Sequence, residues 1–487
     1  MPHPLSQRIR DVLALQPDAR AIEYDGRWWQ WGRFAEIARA IEQLVTPGTQ
    51  VGVLLRNRPS HVATLLGLVQ AGATLVVINP SRGDDRTRAD ITALGLPMVV
   101  GSPDDVDALV TPSPNTTIVT ITDLDEAPVV TEATAPTASE GRPGVAVRML
   151  TSGTTGPPKR VDLTYDMLAH SVMNGPAPKE VRRGVAIVNA PLVHIGGVFR
   201  VLQCVAEARS FVLLARFELD RWAAAVRAHR PRAVSLVPAA LRMVLHSDLT
   251  REDLDGIQAV TSGTAPLSAD DADAFTEKFG IPVLTSYAAT EFGGGVAGWS
   301  LADYREFWTI KRGSVGRATL GAQLRVVNDD RQPVNSAEPG LLEVKPGQLG
   351  SATDWIRTTD VARIDTDGFL WILGRADQAI IRGGFKVMPD DVRAALEGHP
   401  AVEGAAVVGR ADDRLGETPV AMVELREPVS TDDLLDFLRT RLARYEIPTD
   451  IAIVDAIPRT PSGKADLSAV RAHFADPASA TRDRHGT

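Results

Sequence analysis

The sequence predicts an α/β protein: a large N-terminal domain of two βα-rich lobes plus a small β-barrel-like subdomain, followed by a small α+β C-terminal domain. Short β-branched runs alternate with apolar helical segments between residues 51 and 285, and this alternation is typical of parallel sheets covered by helices. Between residues 315 and 374, short strands are separated only by turn residues, as in antiparallel sheets. A chain of 487 residues is also too long for one compact core.

The clearest β-α-β unit lies near the N-terminus. Two β-branched runs, 51–55 and 74–78, enclose a segment with apolar residues at helical spacing, which predicts two parallel strands joined by a helix. The alternation resumes later in the chain, with strands predicted at 185–188, 211–214, 233–237, 257–260 and 281–285. Functional sites in such lobes are expected at the carboxyl ends of the strands.

The last third of the chain has a different pattern. Strands are predicted at 323–327, 340–344 and 368–373, and in the terminal segment at 402–408 and 420–425. Ser430 is expected to begin a helix whose leucines share one face. We predict domains at 1–374 and 375–487, and a surface connection in the Pro/Thr/Ala-rich stretch 127–144.

Composition excludes several classes of protein. A formal net charge of −9 argues against a nucleic-acid-binding surface, which needs a basic patch. The single cysteine, Cys204, lies in an apolar segment and is predicted to be a small buried hydrophobe. The sequence has no run of about eighteen apolar residues and no signal-peptide pattern at its N-terminus. A cytoplasmic protein without a transmembrane segment is therefore expected, and its oligomeric state is left open.

The stretch 151–159 has the composition of a phosphate-binding loop. It contains four hydroxyl residues, two glycines and a lysine, and it follows a predicted strand. Backbone N–H groups and hydroxyls in such a loop can converge on one anion, with the lysine as a point charge. The glycine spacing differs from that of a Walker A loop. A Ser/Thr/Gly turn that binds nothing is the alternative for this stretch alone.

Four separated motifs, in this order, resemble those of the adenylate-forming enzyme superfamily, which includes acyl-CoA synthetases, adenylation domains and firefly luciferase. They are residues 151–159, residues 287–291, residues 374–377 with 383–384, and residues 458–464. The resemblance implies an ATP-dependent ligase that joins a fatty or aryl carboxylic acid to coenzyme A through an acyl-AMP intermediate. Its small-molecule partners would be the acid, ATP, Mg²⁺ and coenzyme A, and its C-terminal domain would be mobile.

The resemblance assigns most motif residues to cofactor binding. Residues 151–159 would bind the β- and γ-phosphates of ATP, Tyr287 would stack on adenine opposite residues 263–265, and Asp360 with Arg375 would bind the ribose. The implied cofactor-binding residues are Thr151, Ser152, Gly153, Thr154, Thr155, Gly156, Lys159, Gly263, Thr264, Ala265, Tyr287, Asp360, Arg375, Gly383 and Gly384. Of these, Gly383 and Gly384 would lie beside the path of the thiol. A core role for Tyr287 and a structural Asp360–Arg375 ion pair remain as alternatives.

The resemblance assigns catalysis to Lys464, Glu291 and Thr290. Thr290 and Glu291 match the pair that holds Mg²⁺, for which a carboxylate is a suitable hard ligand; a solvated loop charge is the alternative for Glu291. A carboxylic acid is already ionised at pH 7, so its attack on the α-phosphorus needs charge stabilisation rather than a general base. Lys464 would supply that charge, and Asp377 would be the hinge of a domain rotation between two half-reactions.

The implied substrate pocket begins at residues 191–197. Its implied residues are His194, Gly196, Gly197, Ala288 and Gly293. A core histidine is the alternative for His194. Amino-acid-activating enzymes that the chain resembles carry an aspartate shortly after this point, which pairs with the substrate ammonium. Residues 195–201 contain no acidic side chain and a single charge, Arg200, so the resemblance implies an acid without an α-amino group.

Several positions depart from the family pattern. Ala288 and Thr359 replace usual glycines, the segment 346–355 is shorter than usual, and Ala465 replaces a large aliphatic residue. None of these changes removes a group that the chemistry requires. Two alternatives remain open: an enzyme that loads the acyl group onto a carrier protein, and a non-catalytic acyl-adenylate- or nucleotide-binding protein.

Overall fold

The computed structural model describes residues 2–133, 141–151, 159–173, 175–382, 385–412, 414–460 and 463–475. Residues 4–172 supply the first six helices and nine strands. The helices are α1 (Pro4–Leu15), α2 (Trp31–Glu42), α3 (Pro59–Ala71), α4 (Asp84–Leu94), α5 (Pro103–Leu109) and α6 (Tyr165–Val172). The strands are β1 (Arg20–Tyr24), β2 (Arg27–Gln30), β3 (Gln50–Leu54), β4 (Thr74–Ile78), β5 (Met98–Gly101), β6 (Thr117–Thr120), β7 (Val129–Thr131), β8 (Val145–Thr151) and β9 (Lys159–Thr164).

Seven of these strands form one sheet in the order β7-β6-β5-β3-β4-β8-β9. Neighbouring strands are parallel except at the two edges, where β7 and β9 are antiparallel to their partners. The predicted unit is confirmed as β3-α3-β4, with Val51 paired to Leu75. All of β4 is buried, as expected for a strand with helices on both faces. The predicted surface connection 127–144 contains one short edge strand, β7, which is exposed at Val129 and Thr131, and residues 134–140 lie outside the described residues.

The second lobe continues the alternation. Its strands are β10 (Arg182–Val188), β11 (Arg209–Leu213), β12 (Ala233–Ser235), β13 (Ala259–Ser262), β14 (Val283–Ala289), β15 (Gly294–Gly298) and β16 (Arg317–Ala318). Its helices are α7 (Ile195–Ala206), α8 (Leu219–His229), α9 (Pro238–Leu245), α10 (Ala269–Phe279) and α11 (Leu301–Phe307). One sheet has the order β10-β11-β1-β2 and the other β12-β13-β14-β15-β16. Cys204 is buried in α7, as predicted.

The remaining strands form an antiparallel unit and the C-terminal segment. The antiparallel sheet runs β17 (Gln323–Val327), β18 (Gly340–Lys345), β19 (Ile356–Ile364) and β20 (Leu370–Arg375). The C-terminal elements are β21 (Ile380–Arg382), β22 (Phe385–Val387), α12 (Pro389–Glu397), β23 (Val402–Asp412), β24 (Gly416–Leu425), α13 (Thr431–Arg439), β25 (Ile451–Val454) and α14 (Leu467–Ala475). Ser430 caps α13 by accepting a hydrogen bond from the Asp433 N–H, as its position predicts. Among the described residues, no helix has the length and apolar character needed to cross a membrane.

His61 places an ionisable group in the core of the first lobe. It lies on α3 with no exposed surface, and its Nδ1 accepts a hydrogen bond of 2.8 Å from the Arg56 N–H. Burial lowers the pKa of His61 to about 4. The positive charge of Arg58 also lowers this pKa, whereas the negative charge of Asp105 raises it. Because the unfolded chain binds this proton near pH 6.5 and the folded chain does not, stability falls as pH drops from 6.5 towards 4.

We expect the free energy of unfolding to fall by about 3 kcal/mol over that pH interval through His61 alone. Urea unfolding at several pH values measures this loss. His61→Asn keeps an acceptor but cannot ionise, so its curve should be flatter between pH 6.5 and 4. An identical pH slope in His61→Asn would assign the loss to other groups.

Candidate active site

Two parallel strands bring the predicted adenine-binding residues together. Residues 263–265 follow β13, and Tyr287 lies on β14, whose Thr285 is paired with Ser262 of β13. A Cβ atom added at Gly263 would lie 2.8 Å from the Ser286 Oγ, so only glycine fits this approach without movement. β14 runs beyond its predicted end at 285 and carries Ala288 as well as Tyr287. The site therefore lies at the carboxyl ends of strands, as expected.

Tyr287 and Asp360 are joined by a hydrogen bond. The Tyr287 hydroxyl donates to the Asp360 Oδ2 across 73 residues of sequence. Burial raises the pKa of Asp360, while Tyr287 and the charge of Arg375 oppose the change. Burial and the Asp360 carboxylate raise the pKa of Tyr287. The hydroxyl is thus a permanent donor to Asp360, and the ring that would stack on adenine is coupled to the carboxylate that would bind the ribose.

Arg375 pairs with the predicted hinge residue. Asp360 and Arg375 face each other on β19 and β20, but the Arg375 Nε and Nη2 donate to Asp377 Oδ1 and Oδ2 at 2.9 and 2.6 Å. Burial acts to raise the pKa of Asp377, yet the hydrogen bonds and charge of Arg375 hold it below its ordinary value. Among the described residues, the ion pair of Arg375 is therefore with Asp377, and the Asp360–Arg375 pair expected as an alternative is not formed.

Lys464 reaches this cluster from the other end of the chain. The pKa of Lys464 is lowered by burial and by the charge of Arg375, with Glu291 and Asp360 acting in the opposite direction. These influences place its ammonium group in the electrostatic field of all three side chains. More than a third of the residue is nonetheless exposed, so water still reaches part of the Lys464 side chain. The structure brings four of the predicted residues together.

Thr290 and Glu291 lie in a short 3₁₀ turn, Thr290–Phe292, directly after β14. Phe292 is buried and fixes the turn, whereas Glu291 is exposed. In the described part of the chain, no group of three His, Cys, Asp or Glu side chains could enclose a metal ion. One carboxylate and one hydroxyl fit Mg²⁺, because that ion usually completes its octahedral coordination with phosphate oxygens and water.

The predicted phosphate loop joins two paired strands. Thr151 ends β8, Lys159 begins β9, and these two residues are partners in the antiparallel ladder. β8 is itself parallel to β4, so the loop starts at the carboxyl end of a strand in the largest sheet. The predicted residues Ser152, Gly153, Thr154, Thr155 and Gly156 lie outside the described residues, as do Gly383 and Gly384.

The predicted pocket glycines have different surroundings. His194 precedes α7, and a Cβ atom added at Gly196 would meet nothing within 4 Å. At Gly197 it would lie 2.2 Å from the Pro191 carbonyl oxygen, and at Gly293 it would lie 2.4 Å from the Met167 Cε. Close packing therefore explains Gly197 and Gly293, whereas Gly196 borders open space.

Sequence reasoning missed three residues beside Gly294. Phe199 and Gln348 both lie within 3.5 Å of a Cβ atom added there, and Met167 packs against the preceding glycine. The Gln348 Nε2 donates to the Gly295 carbonyl at 2.9 Å. Only Gln348 has a sequence signal, the unusually short segment 346–355. Phe199 and Met167 have none, because each residue reaches the site from a different element.

Comparison with known protein families agrees with this geometry. The family model described as "AMP-binding enzyme" matches residues 9–350, and the model described as "AMP-binding enzyme C-terminal domain" matches residues 391–464. The chain belongs to the AMP-binding enzyme family. The predicted resemblance and fold class are confirmed by this assignment.

Characterised members of the AMP-binding enzyme family resemble the chain over nearly its whole length. Feruloyl-CoA synthase from Amycolatopsis sp is 29% identical, over 94% of this chain and 97% of that protein. 2-Succinylbenzoate–CoA ligase from Bacillus subtilis (strain 168) is 28% identical, over 95% and 96% respectively. The structure of O-succinylbenzoate coenzyme A synthetase from Bacillus subtilis, in complex with ATP and magnesium ion, matches with a TM-score of 0.76 and 26% identity, over 98% of this chain and 100% of that one.

Proposed function

We propose that this AMP-binding enzyme is an ATP-dependent carboxylic acid–CoA ligase that activates a fatty or aryl acid. The observation that carries the proposal is the approach of Lys464 to Glu291, Asp360 and Arg375. A cation from the C-terminal segment thereby joins the residues proposed to hold Mg²⁺ and the ribose. The named relatives are a CoA synthase and a CoA ligase, which supports coenzyme A as the acceptor. We also propose a cytoplasmic location.

In the first half-reaction a carboxylate oxygen of the acid bonds to the α-phosphorus of ATP. The bond from that phosphorus to the oxygen bridging the β-phosphate breaks, and pyrophosphate leaves with the electron pair. Lys464 stabilises the negative charge that gathers on the carboxylate and α-phosphate, while Tyr287 and Asp360 orient the adenosine. Glu291 and Thr290 would hold Mg²⁺, which would supply positive charge for the departure of pyrophosphate.

In the second half-reaction the thiol sulfur of coenzyme A bonds to the acyl carbon and releases its proton to water. The bond from that carbon to the phosphate oxygen breaks, and AMP leaves with the electron pair. We propose the division into 1–374 and 375–487 for this step, with Asp377 as the hinge. β20 ends at Arg375, and the short turn Ala376–Gln378 follows it, so the Arg375–Asp377 ion pair spans the junction. Rotation there would withdraw Lys464 and open a path for the thiol.

Carboxylate-dependent exchange between ATP and labelled pyrophosphate tests the proposal. A panel of fatty and aryl acids should include at least one that supports exchange, and coenzyme A should then yield an acyl-CoA detectable by mass. Exchange followed by transfer only to a carrier-protein phosphopantetheine would favour the carrier-loading alternative. No exchange with any acid would favour a non-catalytic nucleotide-binding protein.

The lowered pKa of Lys464 predicts an alkaline limit to adenylation. Because the charged form is disfavoured relative to an ordinary lysine, its charge is lost below the usual value of about 10.4. We expect kcat/KM for ATP in the exchange reaction, which reports the free enzyme, to decline with a midpoint below that pH. Lys464→Arg should retain a pH-independent residual rate, since a guanidinium stays charged. The same alkaline limit in Lys464→Arg would assign it to another group.

A further inference from the structure

Helix α7 carries a charge that its surroundings do not balance. The helix is apolar over most of its length, and Arg200 is its only charged residue. The Arg200 Nη1 donates to the Gln203 Oε1 at 3.0 Å, while its Nε is buried and has no hydrogen-bond partner. Among the described residues, no carboxylate lies within ion-pair distance of Arg200. A guanidinium remains charged at any physiological pH, and although the Arg200 side chain is only partly buried, its buried Nε–H costs free energy while it lacks an acceptor.

The carboxylate of Glu207 is linked to Arg200 through Gln203, but it already forms ion pairs with two other arginines. The Gln203 Nε2 donates to Glu207 Oε1 at 3.1 Å. The other oxygen of Glu207 pairs with Arg182 at 3.1 Å and with Arg209 at 3.3 Å. Glu207 therefore balances two arginines at the end of the helix, and Arg200 reaches it only through a neutral amide.

Arg200 lies on the same face of α7 as Gly196, one of the predicted pocket residues. Gly196, four residues earlier, borders open space. Phe199, the preceding residue, approaches Gly294 within 3.3 Å of a Cβ atom added there. Gly294 is paired with Ala289 at the end of β14, next to the catalytic turn. Helix α7 thus runs from His194 into the protein, and its unbalanced cation, Arg200, lies about 9 Å from His194 along the helix axis.

We propose that Arg200 binds a second anionic group on the acid, so that the preferred substrate is a dicarboxylic acid rather than a plain fatty or aryl acid. This inference rests on the proposed function and names the substrate class of the same site. One carboxylate would be adenylated beside Lys464, and the other would accept hydrogen bonds from Arg200 deeper in the pocket. A guanidinium suits this role because its donors match the two oxygens of a carboxylate.

A neighbouring residue suggests a rival that the experiment must separate. Gln348 is only 4% exposed, and its Nε2 is committed to the Gly295 carbonyl, so its buried Oε1 is an acceptor without a partner. That atom would bind a hydroxyl group rather than a carboxylate. A monocarboxylic acid that carries a neutral hydroxyl group is therefore the competing substrate.

The test compares exchange rates for pairs of acids matched in length. Each pair contains a monocarboxylic acid and the dicarboxylic acid of the same carbon number, with a parallel aryl series that includes hydroxylated members. We expect the best dicarboxylic acid to exceed its partner in kcat/KM by at least about tenfold. Arg200→Gln should reduce that ratio on the order of a hundredfold, and Arg200→Lys should reduce it less. The control variant Arg209→Gln removes a positive charge from the start of β11, just beyond α7, and should leave the ratio unchanged.

A wild-type preference for monocarboxylic acids, or a ratio that Arg200→Gln leaves unchanged, would overturn the inference and leave the ligase function intact. A preference for a hydroxylated acid that disappears in Gln348→Leu would overturn it in favour of Gln348. No exchange with any acid would instead contradict the proposed function, and the inference would fail with it. Because the readout is a ratio, a variant with reduced folded protein still gives an answer.

Discussion

Lys464→Ala is expected to lower adenylation by about a hundred- to a thousandfold, the usual loss when one preorganised stabilising group is removed. The other residues of the site would still bind ATP, because Tyr287, Asp360 and Arg375 belong to strands that the substitution does not touch. Thioester formation from supplied acyl-adenylate should remain largely intact, since that step needs no charge at the α-phosphorus. Pyrophosphate exchange and acyl-CoA formation measure the two half-reactions separately.

Arg471, an exposed cation on α14, offers a matched control. Arg471→Ala removes a positive charge from the same segment but leaves Lys464 and the residues around it unchanged, so both half-reactions should keep the wild-type rate. Equal loss of both half-reactions in Lys464→Ala would contradict a role confined to adenylation. It would also remove the reason for a rotation that withdraws Lys464.

Arg242→Met is expected to weaken adenylation selectively by releasing the C-terminal domain. Arg242 on α9 pairs with Asp271 of α10 at 2.7 Å and with Glu397 of α12 at 3.1 Å. The side chains of Arg242 and Glu397 are only 12% and 7% exposed, and breaking a buried pair costs about 3–5 kcal/mol. Because this contact joins the two proposed domains in the arrangement that brings Lys464 to the site, its loss should disfavour that arrangement.

We expect exchange to fall by at least about tenfold in Arg242→Met, with a smaller effect on thioester formation from supplied acyl-adenylate. Arg27→Met breaks an exposed pair with Asp125 and should change neither rate, as surface pairs contribute little. A double-mutant cycle with Glu397→Gln should reveal a coupling of at least about 1 kcal/mol in adenylation. Additive effects would show that the pair does not hold the domains together.

Much of the fold could be predicted because its elements are locally encoded. The β3-α3-β4 unit follows from β-branched runs around a helical segment, and the predicted 74–78 strand agrees with Thr74–Ile78. Strand pairing could not be predicted in the same way. β1 pairs with β11, joining Ile22 to Phe211, and nothing in either segment specifies a partner almost two hundred residues away.

The residues of the candidate site could be predicted from the sequence, but their contacts could not. Tyr287, Glu291, Asp360, Arg375 and Lys464 were predicted from motifs, since phosphate and carboxylate chemistry restricts which residues those short segments can hold. The hydrogen-bond and ion-pair partners of these residues are known only from the tertiary structure. The Arg375–Asp377 pair and the Tyr287–Asp360 hydrogen bond depend on side-chain orientation. Gln348 reaches Gly295 from a 3₁₀ turn 53 residues away in the sequence.

By itself the sequence determined the adenylate-forming class, the order of its motifs and the type of charge at each predicted position, because these depend on residue identity and spacing. Only the tertiary structure decided which of those charges are balanced. It pairs Arg375 with Asp377, joins Arg242 to Glu397 across the proposed domain boundary, and leaves Arg200 without a carboxylate among the described residues. The physical reason is that electrostatic interaction depends on distance and burial in space, and separation along the chain specifies neither.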